Sequence, residues 1–233
     1  MSKLTEESSL ASQRMRSAVG TQGISGEHIY AMIDREIAAR ELHGSVLDYG
    51  AGAGNLTRRL LRMDVFSEVV AVGLLPDQPP GLNVSQWLQQ DLNESLPGFD
   101  AYFDVVIASE VIEHLENSRF TARELFRLCR PGGHVIITTP NNESILSLLA
   151  LAIRGHFVHF DKGWYPGHIT PLLRKDLLRI LLEAGFEPIG FRFTNRGKLP
   201  GRPKHTWQEC SLGTLRGLRF SDNLLISARK PNA

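Results

Sequence analysis

Short, nearly continuous apolar segments alternate with amphipathic segments along most of the chain. The apolar runs lie at residues 45–49, 69–72, 86–88, 103–108, 134–139, 186–193 and 223–228. Strands of this kind are buried on both faces, as in a parallel sheet that is covered by helices. Because crossovers between parallel strands are right-handed, the pattern predicts an α/β fold with a doubly wound, mostly parallel seven-stranded sheet and helices on both faces.

Apolar residues at helical spacing predict the helices between these strands, and they fall at residues 27–42, 55–62, 116–129, 141–154 and 171–184. Pro131, Gly132 and Gly133 form a strong stop signal after the third helix, and Thr170 with Pro171 is a start signal for the last one. Residues 194–208 are polar, basic and rich in Pro and Gly, which predicts an exposed loop.

The domain organisation follows from where this alternation begins and where it is interrupted. Residues 1–26 are polar and lack apolar periodicity, so we expect a flexible N-terminal segment followed by a single domain over 27–233. Residues 154–170 interrupt the pattern with several His and aromatic side chains. We interpret this stretch as an inserted lid.

Composition and charge narrow the functional class. Hydrophobic residues make up 42% and charged residues 22% of the 233 residues, which is ordinary for a globular protein. No apolar run is long enough for a membrane span, and two cysteines suit the reducing cytoplasm. The net charge is +1, but the region after Phe186 is basic. Its charges lack the interleaved aromatic residues of single-strand binding, so we expect no nucleic-acid partner.

The most informative segment is a glycine loop between a predicted strand and a predicted helix. Gly50, Gly52 and Gly54 follow the strand, and Asp48 lies two residues before the first glycine. Glycines at this place let a ligand approach the backbone closely. A carboxylate there would repel a pyrophosphate, whereas it suits a ligand with a positively charged amino group.

Three further segments extend this motif: residues 90–92 (Gln-Asp-Leu), residues 103–115 and residues 128–141 with the Pro-Gly-Gly turn. In order and spacing, the chain resembles the class I S-adenosylmethionine-dependent methyltransferases, which are Rossmann-like, most clearly over 46–141. The resemblance implies S-adenosylmethionine as cofactor and a cofactor site formed by Asp48, Tyr49, Gly50, Gly52, Gly54, Asn55, Gly73, Asp91, Leu92 and Ser109.

The chain departs from the family at the end of the second strand. The family usually has a ribose-binding acid there, whereas this chain has Gly73, followed by Leu74. Asp77 is the nearby acid that could replace it. Without a replacement, the ribose loses a charge-assisted hydrogen bond of roughly 1.5–3 kcal/mol.

The catalytic candidates follow the fourth strand and lie in the lid. His114 is the expected general base, Glu110 lies closer to the strand end, and His168 would approach the acceptor from the lid. We expect no metal. The alternative is a divalent cation. If a helical turn begins at Glu110, then Glu110, Glu113 and His114 share one face and could bind the cation together with His168. The Glu-x-x-Glu-His sequence is similar to that of metal-dependent small-RNA 2′-O-methyltransferases and of quinone-pathway O-methyltransferases.

These observations favour an enzyme that transfers a methyl group from S-adenosylmethionine to a small-molecule acceptor, at an oxygen. Two alternatives remain open at this point. One is a metal-dependent RNA 2′-O-methyltransferase, and the other is a non-catalytic protein that binds S-adenosylmethionine, which the glycine at position 73 would suit.

Overall fold

The computed structural model describes residues 25–232, so the flexible segment predicted for residues 1–26 lies almost entirely outside the described residues. The elements in chain order are α1 (Glu27–Ala39), β1 (Gly44–Tyr49), α2 (Asn55–Arg62), β2 (Phe66–Gly73), β3 (Gln86–Gln89), β4 (Phe103–Ser109), α3 (Ser118–Leu128), β5 (Cys129–Pro140), α4 (Ile145–Arg154), α5 (Arg174–Ala184), β6 (Glu187–Phe193), β7 (Lys198–Leu199), β8 (Arg202–Thr206), α6 (Trp207–Cys210) and β9 (Asn223–Arg229). Two 3₁₀ turns occupy Ile112–His114 and Leu218–Phe220.

Seven of the strands form one sheet in the order β3-β2-β1-β4-β5-β9-β6. Its pairs are parallel except those of β9, which runs antiparallel to both β5 and β6. The predicted doubly wound, mostly parallel fold is therefore confirmed. The strand order reverses between β1 and β4, and in such sheets ligands bind at the carboxyl ends of the strands beside that point.

Alternate residues of the central strands fill two apolar layers, one on each face of the sheet. Leu47 and Val106 belong to the layer beneath α3 and α5. Val46 and Ile107 belong to the layer beneath α1 and α2. Burial on both faces is why these strands read as continuous apolar runs. Among residues 25–232, no helix is both long and apolar enough to cross a membrane.

Three helices begin later than the sequence pattern predicts, two of them where a polar side chain near the expected start binds elsewhere. The helix expected from residue 171 begins at Arg174, since Thr170 Oγ1 donates to the carbonyl of Leu115 (2.6 Å). The helix expected from residue 141 begins at Ile145, because the amide side chain of Asn141 donates to the carbonyl of Ser221 (2.7 Å). The helix expected over 116–129 runs over 118–128, where the side chain of Asn117 caps it.

Two other expectations also need correction. The Pro131-Gly132-Gly133 stretch is not a separate turn before β5 but a bulge within it, since the pairing with β4 passes from Phe103–Cys129 to Val105–His134. Residues 194–208, expected to be a loop, contain the antiparallel β7–β8 hairpin and the beginning of α6. The hairpin is held by non-local contacts, including a hydrogen bond from the backbone amide of Lys198 to the carboxylate of Asp222 (3.1 Å).

A buried carboxylate fixes α1 to the last strands of the sheet. Glu36 is 1% exposed and accepts hydrogen bonds from Ser227 Oγ of β9 (2.6 Å) and Arg40 Nε (2.9 Å). Arg192 Nε of β6 lies 3.2 Å from its other oxygen. Burial alone would raise the pKa of Glu36, but the hydroxyl and the two guanidinium groups outweigh burial and hold that pKa below its ordinary value.

We therefore expect Glu36→Gln to lower the free energy of unfolding at neutral pH by about 1–3 kcal/mol. A carboxyl with a lowered folded-state pKa contributes stability above its unfolded pKa of about 4.3, and that contribution is lost as the pH falls through the folded value. Urea unfolding at neutral pH and at about pH 3 should show the two proteins converging in acid.

The matched control is Glu183→Gln, which removes an ion pair with Arg119 whose side chains are 52% and 59% exposed. Exposed pairs contribute little, so this variant should resemble the parent. Equal destabilisation by both substitutions would contradict the role assigned to Glu36.

Candidate active site

A cavity of about 490 Å³ opens at the carboxyl ends of β1 and β4, where the strand order reverses. Its walls come from the start of α1, the predicted lid (residues 154–170) and the β7–β8 hairpin. The residues at its inner end lie at or shortly after the ends of β1, β4 and β5, namely Gly50, Ser109, Glu110, Glu113, His114 and Pro140.

The glycine loop packs tightly against the segment that follows β4. Gly50 has φ +96°, and a Cβ there would lie 2.3 Å from a methyl group of Val111, so only glycine fits. The amides of Gly50 and Ala51 both donate to the carbonyl of Val72 (2.9 Å each). The end of β2, where Gly73 stands, therefore lies against the glycine loop.

Asp48 lies beneath the loop and does not line the cavity. Its carboxylate is buried and accepts a hydrogen bond from Thr57 Oγ1 of α2 (2.5 Å). Burial raises the pKa of Asp48 to about 6, although the hydrogen bonds from Thr57 act in the opposite direction. The side chain thus joins β1 to α2 on either side of the three glycines.

Most of the other expected cofactor residues also lie outside the cavity lining. Of the expected set, Gly50 and Ser109 line the cavity. Tyr49 is buried and donates from its hydroxyl to the carbonyl of Leu92 (3.2 Å), which ties the loop after β3 to β1. Asp91 is exposed and accepts from the backbone amide of Asn93 (2.9 Å). Gly52, Gly54, Asn55 and Gly73 belong to the same expected set, and they too lie outside the cavity lining.

Glu110 occupies an unusual backbone conformation directly after β4. Its φ is +54°, and its amide donates to the carbonyl of Thr138 (3.0 Å). The expected helical turn from Glu110 onward is wrong, because the 3₁₀ turn begins at Ile112. The carboxylate accepts from Asn223 Nδ2 of β9 (2.8 Å), and Oε1 is buried without a hydrogen-bond partner. Burial and then the charge of Glu113 raise the pKa of Glu110 well above its usual value.

Glu113 is fully buried in the 3₁₀ turn. Its Oε2 accepts from Thr139 Oγ1 of β5 (3.1 Å), whereas Oε1 has no hydrogen-bond partner. Burial raises the pKa of this carboxyl to about 8. Its backbone carbonyl accepts the amides of Ile169 (2.9 Å) and Thr170 (3.0 Å), so the same residue also holds the end of the predicted lid.

His114 has a fixed tautomer, because its Nδ1 lies 2.9 Å from the carbonyl oxygen of Gly167. A carbonyl only accepts, so Nδ1 carries the proton and Nε2 keeps its lone pair. Burial lowers the pKa of this imidazole, which keeps the ring neutral. The hydrogen bond also ties the 3₁₀ turn to the lid.

His168 packs edge-on against His114, with ring centroids 4.6 Å apart, and lies 4.7 Å from the ring of Trp164. Burial, assisted by the charges of His114 and His159, lowers its pKa to about 3. Its Nδ1 is buried without a hydrogen-bond partner. Ligand atoms of Glu113, His114 and His168 all lie within 4.8 Å of one another. Of the four residues named for a cation, three therefore meet, whereas Glu110 instead binds Asn223.

The sequence pattern gave no indication of several residues at the site. Asn223 lies 113 positions after its partner Glu110 in the sequence. His28 of α1, which is early in the sequence, also lines the cavity. In the sequence, Thr138 and Thr139 look like ordinary strand residues. In the structure, the hydroxyl of Thr138 accepts from the amide of Glu110, and that of Thr139 donates to the carboxylate of Glu113. No local signal marks such positions, because their role depends on the strand order.

A family model described as a methyltransferase domain matches residues 27–189, which are more than half of the chain. The chain is similar to the ubiquinone biosynthesis O-methyltransferase of Xanthomonas euvesicatoria, with 32% identity over 187 residues covering 70% of this chain and 73% of that protein. It is 31% identical to the Erwinia tasmaniensis protein of the same name over 113 residues, which are 46% of each chain. The chain thus spans about half the length of that relative.

Solved structures share the fold at lower identity. An S-adenosylmethionine-dependent methyltransferase from Archaeoglobus fulgidus has a TM-score of 0.60 at 23% identity, covering 88% of this chain and 95% of that one. The Burkholderia thailandensis 1,6-didemethyltoxoflavin-N1-methyltransferase, solved with S-adenosylhomocysteine, has a TM-score of 0.64 at 19% identity, covering 100% and 92%. With the fold, the glycine loop and the match over 27–189, this chain belongs to the class I methyltransferase family, whose cofactor is S-adenosylmethionine.

Proposed function

We propose that this protein transfers a methyl group from S-adenosylmethionine to an oxygen of a small-molecule acceptor. The observation that carries the proposal is the cavity at the carboxyl ends of β1 and β4, where the glycine loop meets His114, the half-buried Glu110 and the buried Glu113. The relatives named as ubiquinone biosynthesis O-methyltransferases support an oxygen acceptor. Both cysteines are free, and Cys210 is exposed, which supports a reducing compartment such as the cytoplasm.

The cofactor supplies an electrophilic methyl group when it is bound. The chain's own residues position the acceptor and remove its proton. His114 suits the role of base, because Gly167 holds the proton on Nδ1 and leaves Nε2 free to accept one. Burial keeps the imidazole neutral before the reaction. Glu113 lies beside this imidazole, and the His168 ring packs between those of His114 and Trp164.

The residues of this site also fit the divalent cation that the Glu-x-x-Glu-His sequence implies. Glu113 Oε1 and His168 Nδ1 are both buried polar atoms without hydrogen-bond partners, and such atoms are costly unless a ligand satisfies them. Two neutral imidazoles and a carboxylate are a common ligand set for a transition metal. A cation held by Glu113, His114 and His168 would lower the pKa of a coordinated acceptor hydroxyl.

We expect Asp48→Asn to weaken the binding of S-adenosylhomocysteine roughly tenfold or more, because the variant loses the carboxylate charge that lies buried beneath the glycine loop. The pKa of about 6 adds a pH signature. In the parent, affinity should fall between about pH 7.5 and about pH 5, as the carboxyl takes up its proton and no longer attracts an ammonium group. Calorimetric titration across this range measures both effects.

Asp104→Asn is the control, since Asp104 binds Ser45 at the opposite end of β1, away from the cavity. Its affinity and pH profile should match those of the parent. If Asp48→Asn bound the ligand as tightly as the parent, Asp48 would have no cofactor role.

We expect Gly73→Asp to tighten the binding of S-adenosylhomocysteine several-fold, because it restores the ribose-binding acid of the family. The backbone permits the change: a Cβ at this position would lie 3.5 Å from the amide of Ala51, an ordinary van der Waals distance. Gly73→Ala separates the effect of the carboxylate from that of the added carbon. Weaker binding by the aspartate variant than by the alanine variant would show that the ribose lies elsewhere.

We expect Glu113→Gln to weaken Mn²⁺ binding at least about tenfold, since it removes one of three ligands without changing the side-chain shape. Electron paramagnetic resonance of free Mn²⁺ measures this in the absence of any reaction. His156→Asn is the control, because His156 lies in the predicted lid but outside the cavity lining. A parent protein that leaves Mn²⁺ free would rule out the cation and leave His114 as the base.

A further inference from the structure

Three cationic side chains in and beside the β7–β8 hairpin line the cavity. Arg196 precedes the β7–β8 hairpin, Lys198 begins it and Lys204 lies on its second strand. All three are exposed, so they border the solvent-facing part of the cavity rather than its inner end. We call this set the cationic rim. Glu110, Glu113 and His114 form the inner end of the same cavity.

The cationic rim has no carboxylate partner among residues 25–232, where each ion pair involves other side chains. Two acids are close by, but both bind backbone amides. Both oxygens of Asp222 accept from the amide of Lys198 (3.2 and 3.1 Å). Glu209 Oε2 accepts from the amide of Thr206 (2.8 Å). The guanidinium and ammonium groups of the rim form no ion pair and remain available to a ligand, although the charge of Asp222, which also lines the cavity, offsets part of theirs.

Electrostatic effects on two histidines show that the rim charges act across the cavity. Burial is the main cause of the lowered pKa of His159 in the predicted lid, and the charge of Lys198 adds to it. Burial also lowers the pKa of His28 in α1, again with a contribution from Arg196. Both histidines line the cavity. Lys198 and Arg196 are thus close enough to the lid and to α1 to act on both, while Asp161 and Asp222 act in the opposite direction.

The rim is separate from the rest of the basic C-terminal region. Arg192 lies 3.2 Å from the buried Glu36, so its charge is already paired. Arg202, on the same hairpin, does not line the cavity. The basic residues of the C-terminal region are therefore divided between the cavity rim and other surfaces. A nucleic-acid site would instead have a continuous basic groove.

We propose that the methyl acceptor is a small hydroxylated molecule that carries a carboxylate or phosphate group, which Arg196, Lys198 and Lys204 bind at the cavity rim. This inference rests on the proposed function and names the substrate class of the same site. The two ends of the cavity separate the tasks. The rim holds the anionic group, and the acceptor hydroxyl faces His114 at the inner end.

The test uses a pair of probes of nearly the same shape, 4-hydroxybenzoate, which is anionic, and 4-hydroxybenzamide, which is neutral. Calorimetric titrations are run on the full chain with and without saturating S-adenosylhomocysteine. We expect the carboxylate to bind at least about tenfold more tightly than the amide, and added NaCl to reduce the difference. Phenyl phosphate in a parallel titration distinguishes a preference for phosphate from one for carboxylate.

Substitution of the rim locates the effect. Lys198→Gln and Arg196→Gln should each reduce the preference for the anion about threefold or more. Arg202→Gln is the matched control on the same hairpin and should retain the parent's preference. Equal binding of the two probes, absence of binding by both, or an equal effect of Arg202→Gln would overturn the proposal.

Two readouts separate this inference from the proposed function and from an RNA site. Titration with S-adenosylhomocysteine alone reports the cofactor half, so its failure is distinct from a lack of anion preference. A labelled single-stranded RNA that binds tightly, and loses affinity equally in the rim variants and in Arg202→Gln, would replace the small acceptor by a nucleic acid.

Discussion

Two carboxyl groups buried three residues apart at the end of β4 are the constraint on which this site depends. Placing Glu110 and Glu113 in a low-dielectric edge is costly unless other groups bind them. Each glutamate uses a neighbouring strand for this purpose. Thr139 of β5 binds one carboxylate, and Asn223 of β9 binds the other. The backbone carbonyl of Glu113 then holds the end of the predicted lid. The burial of these acids thus brings together β4, β5, β9 and the lid.

The parallel part of the sheet could be predicted from the sequence because its signals are local. Strands buried on both faces read as apolar runs, and the glycines after β1 are required by positive φ and by the close approach of Val111. The hairpin could not be predicted in this way. Most of its residues are polar, and one of the contacts that hold it joins the amide of Lys198 to Asp222, 24 positions later. The later start of α5 has the same origin, since Thr170 binds the distant carbonyl of Leu115 instead of capping the helix.

The site was predictable in part, for a related reason. His114 and His168 could be proposed from their places after β4 and in the lid, and their rings meet at 4.6 Å. Glu110 was expected on the same helical face as Glu113, but its left-handed backbone separates the two, so that one joins the histidines and the other joins β9. Asp48 was expected to face the ligand, whereas its contact with Thr57 turns it toward the helix after the glycine loop. The types of these residues therefore indicated an acid–base or metal-binding site. Which side chains contact one another depends on the backbone conformation, which the sequence pattern did not predict.

Strand β9 explains why these distant parts act as one site. It lies between β5 and β6, although it is the last strand in the chain, and it runs antiparallel to both. At its start, Asn223 binds Glu110, and four residues later Ser227 binds Glu36 of α1. A single short strand therefore connects the acid pair to the helix that carries His28 to the cavity. Because these contacts join residues 113 and 191 positions apart, their formation requires the closure of long loops. The early strands can pair through shorter connections, so the geometry of the active site is completed only when β9 enters the sheet.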